Sequence, residues 1–252
     1  MTLKNKTVVM TGGASGIGRA TVLALAGEGA RVVLCDINEA GAAETIKLAR
    51  VAGPGGGLVE FIKVDLADMA AVEACGREAL KRTGSKVDIL VNGAGWDIGT
   101  PFKDQTSAFM DKVLAINLAG PVRLTHAIFK SMADNGSGKI VSVASDAGRV
   151  GSSGEVVYSA AKAGIIGLTK ALAREGARYK ITVNCVCPGP TDTPLFQANP
   201  EKLREALLRA IPFKRLAAPE DIANAILYFA GPTSDYVTGQ ILSVSGGLTM
   251  AG

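Results

Sequence analysis

The feature that most restricts this chain is an alternation. Short runs of apolar and β-branched residues recur along its length, separated by segments long enough for helices. "KTVVMT", "RVVLCD" and "KIVSVA" are apolar at consecutive positions, the mark of strands buried on both faces. The pattern predicts strands over 7–11, 31–35, 59–64, 89–92, 139–143, 182–186 and 240–244. Helices are expected to open near Ser15, Glu39, Asp68, Thr106, Val156 and Pro219. Strand–helix–strand alternation requires parallel pairing through right-handed crossovers. The expected fold class is therefore α/β, a seven-stranded, doubly wound parallel sheet with helices on both faces.

Composition narrows the function classes. A net charge of +4 is slight for 252 residues and is spread along the chain, which argues against a nucleic-acid or membrane-surface partner. No apolar run is read as approaching the roughly 20 residues that cross a bilayer, and the first residues do not resemble a signal peptide. Four cysteines, at 35, 75, 185 and 187, lack histidines at metal-ligand spacing, so no metal is expected. Reduced, buried thiols and a cytoplasmic location follow. "AGPGGG" (52–57) lacks the Lys-Ser/Thr of a phosphate loop and reads as a turn before the third strand.

"TGGASGIG" (11–18) leaves the first strand and opens the first helix. Gly12, Gly16 and Gly18 permit a tight turn, close backbone approach to a pyrophosphate and close helix–strand packing. The helix start there, at Ser15 and Ile17, offers unpaired N–H groups and a positive dipole end. Asp36 ends the second strand, where a carboxylate accepts hydrogen bonds from ribose hydroxyls and repels a 2′-phosphate. That favours NAD over NADP as cofactor.

"VVYSAAKAG" (156–164) stacks Tyr158 and Lys162 on one helix face, with Cβ atoms about 5–6 Å apart. Alone, such a pair is ordinary on an amphipathic helix. Here it accompanies the glycine loop, Asp65-Leu66, "NGAG" (92–95), Asn117, Ser145 thirteen residues before Tyr158, and "PGPTDT" (188–193). Together, in this order, these motifs resemble the short-chain dehydrogenase/reductase family across essentially the whole chain. Gly93 stands where the family usually has a second Asn.

The resemblance implies a single Rossmann-fold domain over 1–252, with a cofactor half to about 145 and a catalytic and substrate-loop half beyond. It implies that Tyr158 exchanges a proton with the substrate oxygen, that Ser145 polarises that oxygen, and that Lys162 also holds the nicotinamide ribose. Asn117 would hold a water on a proton path. A free phenol titrates near 10, and the neighbouring ammonium is expected to lower that value. By position, Asp65 would take the adenine amino group with Leu66 against the ring. Asn92, Ala94 and Gly95 would line the cofactor. Pro188 and Gly189 would lead to Thr191 and Thr193, placed for the carboxamide and pyrophosphate unless they merely cap the loop.

"GWDIGTPF" (95–102), "ASDAGRVGSSGEVVY" (144–158), "CPGPTDTPL" (187–195) and "VTGQILSVSGGLTMAG" (237–252) are similar to one branch of the family, the 2-hydroxycyclohexanecarboxyl-CoA dehydrogenases. The Trp-Asp of the first and the Ser-Ser-Gly-Glu of the second are the distinguishing pieces. That likeness implies oxidation of a 2-hydroxycycloalkanecarboxyl-CoA, a β-hydroxyacyl thioester, to its 2-keto form. A 3-oxoacyl-acyl-carrier-protein reductase, a cyclic alcohol or dihydrodiol dehydrogenase, and a non-catalytic nucleotide sensor are the alternatives. Trp96 is placed to receive an apolar ring, or serves as a core or interface aromatic. Lys202, Arg204, Arg209, Lys214 and Arg215 either meet CoA phosphates or form a solvated face, the better reading for the cluster. His126 reads as structural. The family likeness also implies a homotetramer, with helices near 106–132 and 156–178 and the glycine-rich tail at the interfaces.

Overall fold

The computed structural model describes residues 2–51, 58–199 and 201–251; the expected turn at 52–57 lies outside them. Among the described residues, seven strands form one parallel sheet. They are β1 (Thr7–Thr11), β2 (Arg31–Asp36), β3 (Val59–Lys63), β4 (Ile89–Asn92), β5 (Gly138–Val143), β6 (Ile181–Pro188) and β7 (Ile241–Val244). Their spatial order is β3-β2-β1-β4-β5-β6-β7. The chain winds outward from β1 to β3, then returns to β4 on the other side of β1. This reversal opens a crevice at the carboxyl ends of β1 and β4, where Thr11 lies in register with Asn92.

Strand alternation builds two cores. Val8, Met10, Val32, Leu34, Ile89 and Val91 face one layer of packing, with Val22 and Leu25 of α1 (Gly16–Gly27) and Ile222 and Phe229 of α10 (Pro219–Ala230). Val9, Val33, Leu90 and Ile140 face the other, with Val72 of α3 (Met69–Arg82) and Leu124 and Ile128 of α5 (Gly120–Asn135). Neighbouring side chains on a strand point to opposite faces, so a continuous apolar run is buried from both sides.

Helix starts carry side-chain caps near the expected positions. Asn38 caps α2 (Glu39–Ala49), Asp68 caps α3, and Thr106 caps α4 (Ser107–Leu114). The single helix expected over 106–132 is two: a π-helical turn at Ala115–Ala119 separates α4 from α5. Beyond β5, α6 (Ala147–Val150) leads into α7 (Val156–Gly176), which packs along β6. By length and composition alone, the stretch Val156–Tyr179 is long and apolar enough to cross a membrane, contrary to the sequence reading. In the fold it flanks the sheet and buries Lys162. Two further helices, α8 (Pro194–Gln197) and α9 (Glu201–Ala210), follow β6, and α9 carries Lys202, Arg204 and Arg209 of the basic cluster. The four cysteines are free and buried.

Candidate active site

A cavity of about 770 Å³ runs across the carboxyl ends of the strands, from the start of α1 to the loops before α7 and the helices after β6. Its volume lies within the range of small-molecule and cofactor clefts. One end is made of backbone. Gly12 has φ +78°, and a Cβ there would come within 2.6 Å of the Ala94 backbone. A Cβ on Gly18 would lie 1.8 Å from the Gly12 carbonyl oxygen. Gly16, at φ +49°, lies against Thr193, whose Cγ2 would be 3.1 Å from an added Cβ. Ser15 is the N-cap residue of α1, but its side chain makes no capping hydrogen bond, so the first turn faces the cavity with donors to spare. This cradle fits a pyrophosphate.

Asp36 lines the same end. Its Oδ2 accepts from Ala14 N–H at 3.0 Å and its Oδ1 from Asn38 N–H at 2.9 Å, which fixes the carboxylate while leaving lone pairs free. Among the described residues, Arg19 donates to Thr45 and to the Ala14 and Gly41 carbonyls, and Lys63, in register with Asp36 on β3, pairs with Glu39 at 2.9 Å. Asp65 and Leu66 line the cavity beyond, with Asp65 Oδ1 taking the Ala67 N–H. Ile17, Ala94, Gly95, Pro188, Gly189, Thr191 and Thr193 are also in the wall. Thr193 N-caps α8 by accepting from Phe196 N–H, and Thr191 donates to the Gly189 carbonyl. Both threonines therefore do hold their loop while facing the cavity.

Asn92 departs from expectation. Its side chain turns away from the cavity and donates to Thr125 and Ser142, joining β4 to α5 and β5. Gly93 lines the cavity in its place.

At the centre, Ser145, Tyr158 and Lys162 meet. Ser145 lies just past β5; its hydroxyl accepts from Ala147 N–H at 3.1 Å and lines the cavity with the Tyr158 phenol, on which it acts. Lys162 is 3% exposed; its Nζ donates to the Val143 carbonyl at 2.9 Å and stands 5.5 Å from the Tyr158 ring centre. Burial pushes the Lys162 ammonium down to about 8. Burial also pushes the Tyr158 phenol up, helped by Glu155, while the Ser145 hydroxyl opposes the shift. The shift is thus opposite to the lowering expected from Lys162: burial and the nearby carboxylates disfavour the phenolate.

Asn117 is fully buried within the π-helical turn. Its Oδ1 accepts from Trp96 N–H at 3.2 Å, and its Nδ2 donates to the Trp96 and Val113 carbonyls at 2.7 and 2.9 Å. It therefore pins the loop after β4 and does not itself line the cavity. Trp96 does, with its ring 5.6 Å from Phe109 and Lys112 Nζ 4.1 Å above it. Leu203 and Leu207 of α9 line the far end. The basic cluster is mostly engaged: Arg215 with Asp221, Lys214 with the Arg209 carbonyl, and Arg204 with Gln197. His126 is exposed on α5, away from the cavity.

Asp97 and Glu155 stand in the two distinguishing pieces of the branch likeness, but sequence reasoning assigned neither a role in the site. Burial pushes Asp97 up to about 6, with Glu155 adding to the effect, and both carboxylates act on Tyr158. An acid next to the one tryptophan and an acid three residues before Tyr158 were visible signals; their proximity was not.

The family profile described as enoyl-(acyl carrier protein) reductase matches residues 12–249. The chain is 38% identical over 250 residues to (2S)-[(R)-hydroxy(phenyl)methyl]succinyl-CoA dehydrogenase of Thauera aromatica, covering 99% of each. It is 36% identical to the 3-oxoacyl-[acyl-carrier-protein] reductase of Thermotoga maritima, covering 99% of this chain and 100% of that one. Levodione reductase superposes with a TM-score of 0.90 at 34% identity, over 97% of both chains. With the parallel sheet, the glycine cradle and the Ser–Tyr–Lys cluster in place, the chain belongs to the short-chain dehydrogenase/reductase family and is an oxidoreductase of the kind that uses a nicotinamide cofactor.

Proposed function

We propose that the protein is an NAD-dependent dehydrogenase of β-hydroxyacyl-CoA thioesters, acting on a 2-hydroxycycloalkanecarboxyl-CoA. The observation that carries the cofactor choice is Asp36, whose carboxylate lines the cavity and is fixed there by two backbone N–H groups. It would accept from ribose hydroxyls and repel a 2′-phosphate. Gly12, Ser15, Gly16, Ile17 and Gly18 would hold the pyrophosphate, Asp65 and Leu66 the adenine, and Thr191 and Thr193 the nicotinamide end. NAD supplies the hydride acceptor when bound.

Tyr158 is the general acid/base. In the reduction direction its neutral phenol gives a proton to the carbonyl oxygen; in oxidation the phenolate takes it from the alcohol. Burial favours the neutral form, so oxidation requires compensating positive charge from Lys162 and its surroundings. Ser145 donates to the substrate oxygen and stabilises charge developing there. Lys162 places its ammonium at the ribose and close to Tyr158. Asn117 acts by holding the Gly95–Trp96 backbone, and Trp96 flanks the acyl ring.

The acyl-CoA reading rests on the likeness to CoA-thioester relatives and on an apolar outer cavity lined by Trp96, Leu203 and Leu207. Because most of the basic cluster has protein partners, we do not place CoA phosphates on it. We further propose a cytoplasmic homotetramer; Ala160, Ala163 and Gly167 leave α7 with a small-residue exposed face suited to a second copy. The test is a screen of hydroxyacyl-CoA thioesters, the matching acyl-carrier-protein thioesters and cyclic alcohols, each with NAD⁺ and NADP⁺. Preferred turnover of the cyclic CoA thioester with NAD⁺ is expected. A preference for NADP⁺ or for the carrier-protein thioester would refute the assignment.

A further inference from the structure

Glu155 is the N-cap residue of α7, yet its side chain does not cap the helix. It lines the cavity, and its carboxylate has no hydrogen-bond or ion-pair partner among the described residues. Asp97 follows Trp96, the residue whose backbone Asn117 grips from both sides. Its Oδ2 is shut off from solvent and receives no donor, while Ile98 N–H supports the group elsewhere. Glu155 acts electrostatically on Asp97, and both act on the Tyr158 phenol.

The nearby cations are spent on other contacts. Lys112 lies over the Trp96 ring, and Lys162 donates to the Val143 carbonyl. Half-buried acids usually have a cation partner, and two neighbouring acids without one do not favour folding. Their placement calls for a reason in the chemistry of the cavity.

We propose that Glu155, backed by Asp97, is a specificity-determining residue that admits substrates uncharged beside the reacting carbonyl and turns away free β-oxo and β-hydroxy acid anions. The inference rests on the reading of Tyr158 as the group that meets the substrate oxygen. A carboxylate one carbon removed from that carbonyl would be held near Glu155, which lines the cavity with Tyr158, and would feel Asp97 behind it, in a site with poor screening. A thioester or ester group in the same place carries no charge and is admitted. The phosphates of a CoA ester lie many bonds away, toward the mouth.

The test compares reduction of acetoacetyl-CoA, ethyl acetoacetate and acetoacetate with NADH. In the wild-type enzyme, acetoacetate should be at least about a hundredfold poorer in kcat/KM than its ethyl ester. Glu155→Gln should raise the ratio of acetoacetate to ester kcat/KM about tenfold, a ratio in which any change at the Tyr158 phenol, common to both substrates, cancels. Glu155→Asp, which keeps the charge, should keep the discrimination. Asp97→Asn should move the ratio the same way by less, and it carries the test if Glu155→Gln fails to fold. An ester-to-acid ratio that neither neutral variant moves overturns the inference while leaving the acyl reading intact. Wild-type enzyme that reduces other ketones but neither ester nor thioester defeats the acyl reading itself, and this inference with it.

Discussion

At the α1 end of the cavity the wall is main chain. Gly12 and Gly18 lie against the Ala94 backbone and the Gly12 carbonyl with no room for a methyl group, and Gly16 holds φ +49° beside Thr193. At the end beyond Tyr158 the wall is side chains: Trp96, Glu155, Leu203 and Leu207, carried on loops and on α9, a helix without a buried residue. The first end is tied to the packing of the sheet, so the fold and the cradle stand or fall together. The second can change without disturbing either core. Hydride chemistry is thus assigned to the scaffold and substrate choice to attachments on it.

The most severe way to break that contrast is Gly18→Ala. With an added Cβ 1.8 Å from a carbonyl oxygen, the loop must move. Loss of cofactor affinity by at least about a hundredfold is expected, with destabilisation of roughly 2–4 kcal/mol. Titration by NADH fluorescence and a denaturant melt would measure both. Leu207→Ala at the other end should leave NADH affinity and melting within error of wild type.

Lys162→Met separates catalysis from stability. Turnover should fall about 10²–10³-fold. Burial holds the folded ammonium near 8, below the usual lysine value, so keeping it charged opposes folding below that pH. The burden fades as pH rises through the folded value toward the unfolded one. The variant should therefore melt no lower than wild type at pH 7, and any advantage should vanish above roughly pH 10.5. Calorimetry at the two pH values checks the sign.

Asp36→Ala sharpens the cofactor side. The ratio of NADPH to NADH affinity should rise at least about tenfold, because the repulsive carboxylate is gone. The smallest effect is expected for Asp97→Asn. The folded carboxyl titrates at about 6, above its unfolded value, so ionisation opposes folding as pH rises through 6. The group is only half buried, and solvent screening reduces the effect to about 1 kcal/mol. The variant should be more stable than wild type at pH 8 and equal to it near pH 4. The reverse order would mean that Asp97 has a partner in solution.

The seven strands and the glycine cradle were legible because they depend on local signals: continuous apolar runs, and glycines where a strand turns into a helix. Asp36 was legible for the same reason. The ends of the strands shifted by up to two residues, as with β6, which runs on to Pro188. What sequence could not convey arises from tertiary burial. The direction of the Tyr158 shift depends on how much solvent reaches the phenol, which the four-residue spacing to Lys162 does not encode. Asn92 and Asn117 look like polar residues facing a ligand, yet both spend their amides on neighbouring protein groups. The basic residues of α9 were legible as a solvated face, but the part Leu203 and Leu207 play in the cavity wall was not. Asp97 and Glu155 are far apart in the chain, and only the fold brings their charges together.

The central claim is that Tyr158 moves the proton while the rest of the cavity binds. Replacing it with Phe and measuring NADH affinity and turnover on the same preparation tests this most directly. The account predicts an unchanged dissociation constant, within about twofold, and a turnover reduced roughly 10³-fold or more. Turnover retained within tenfold, or cofactor binding lost along with it, would contradict the assignment.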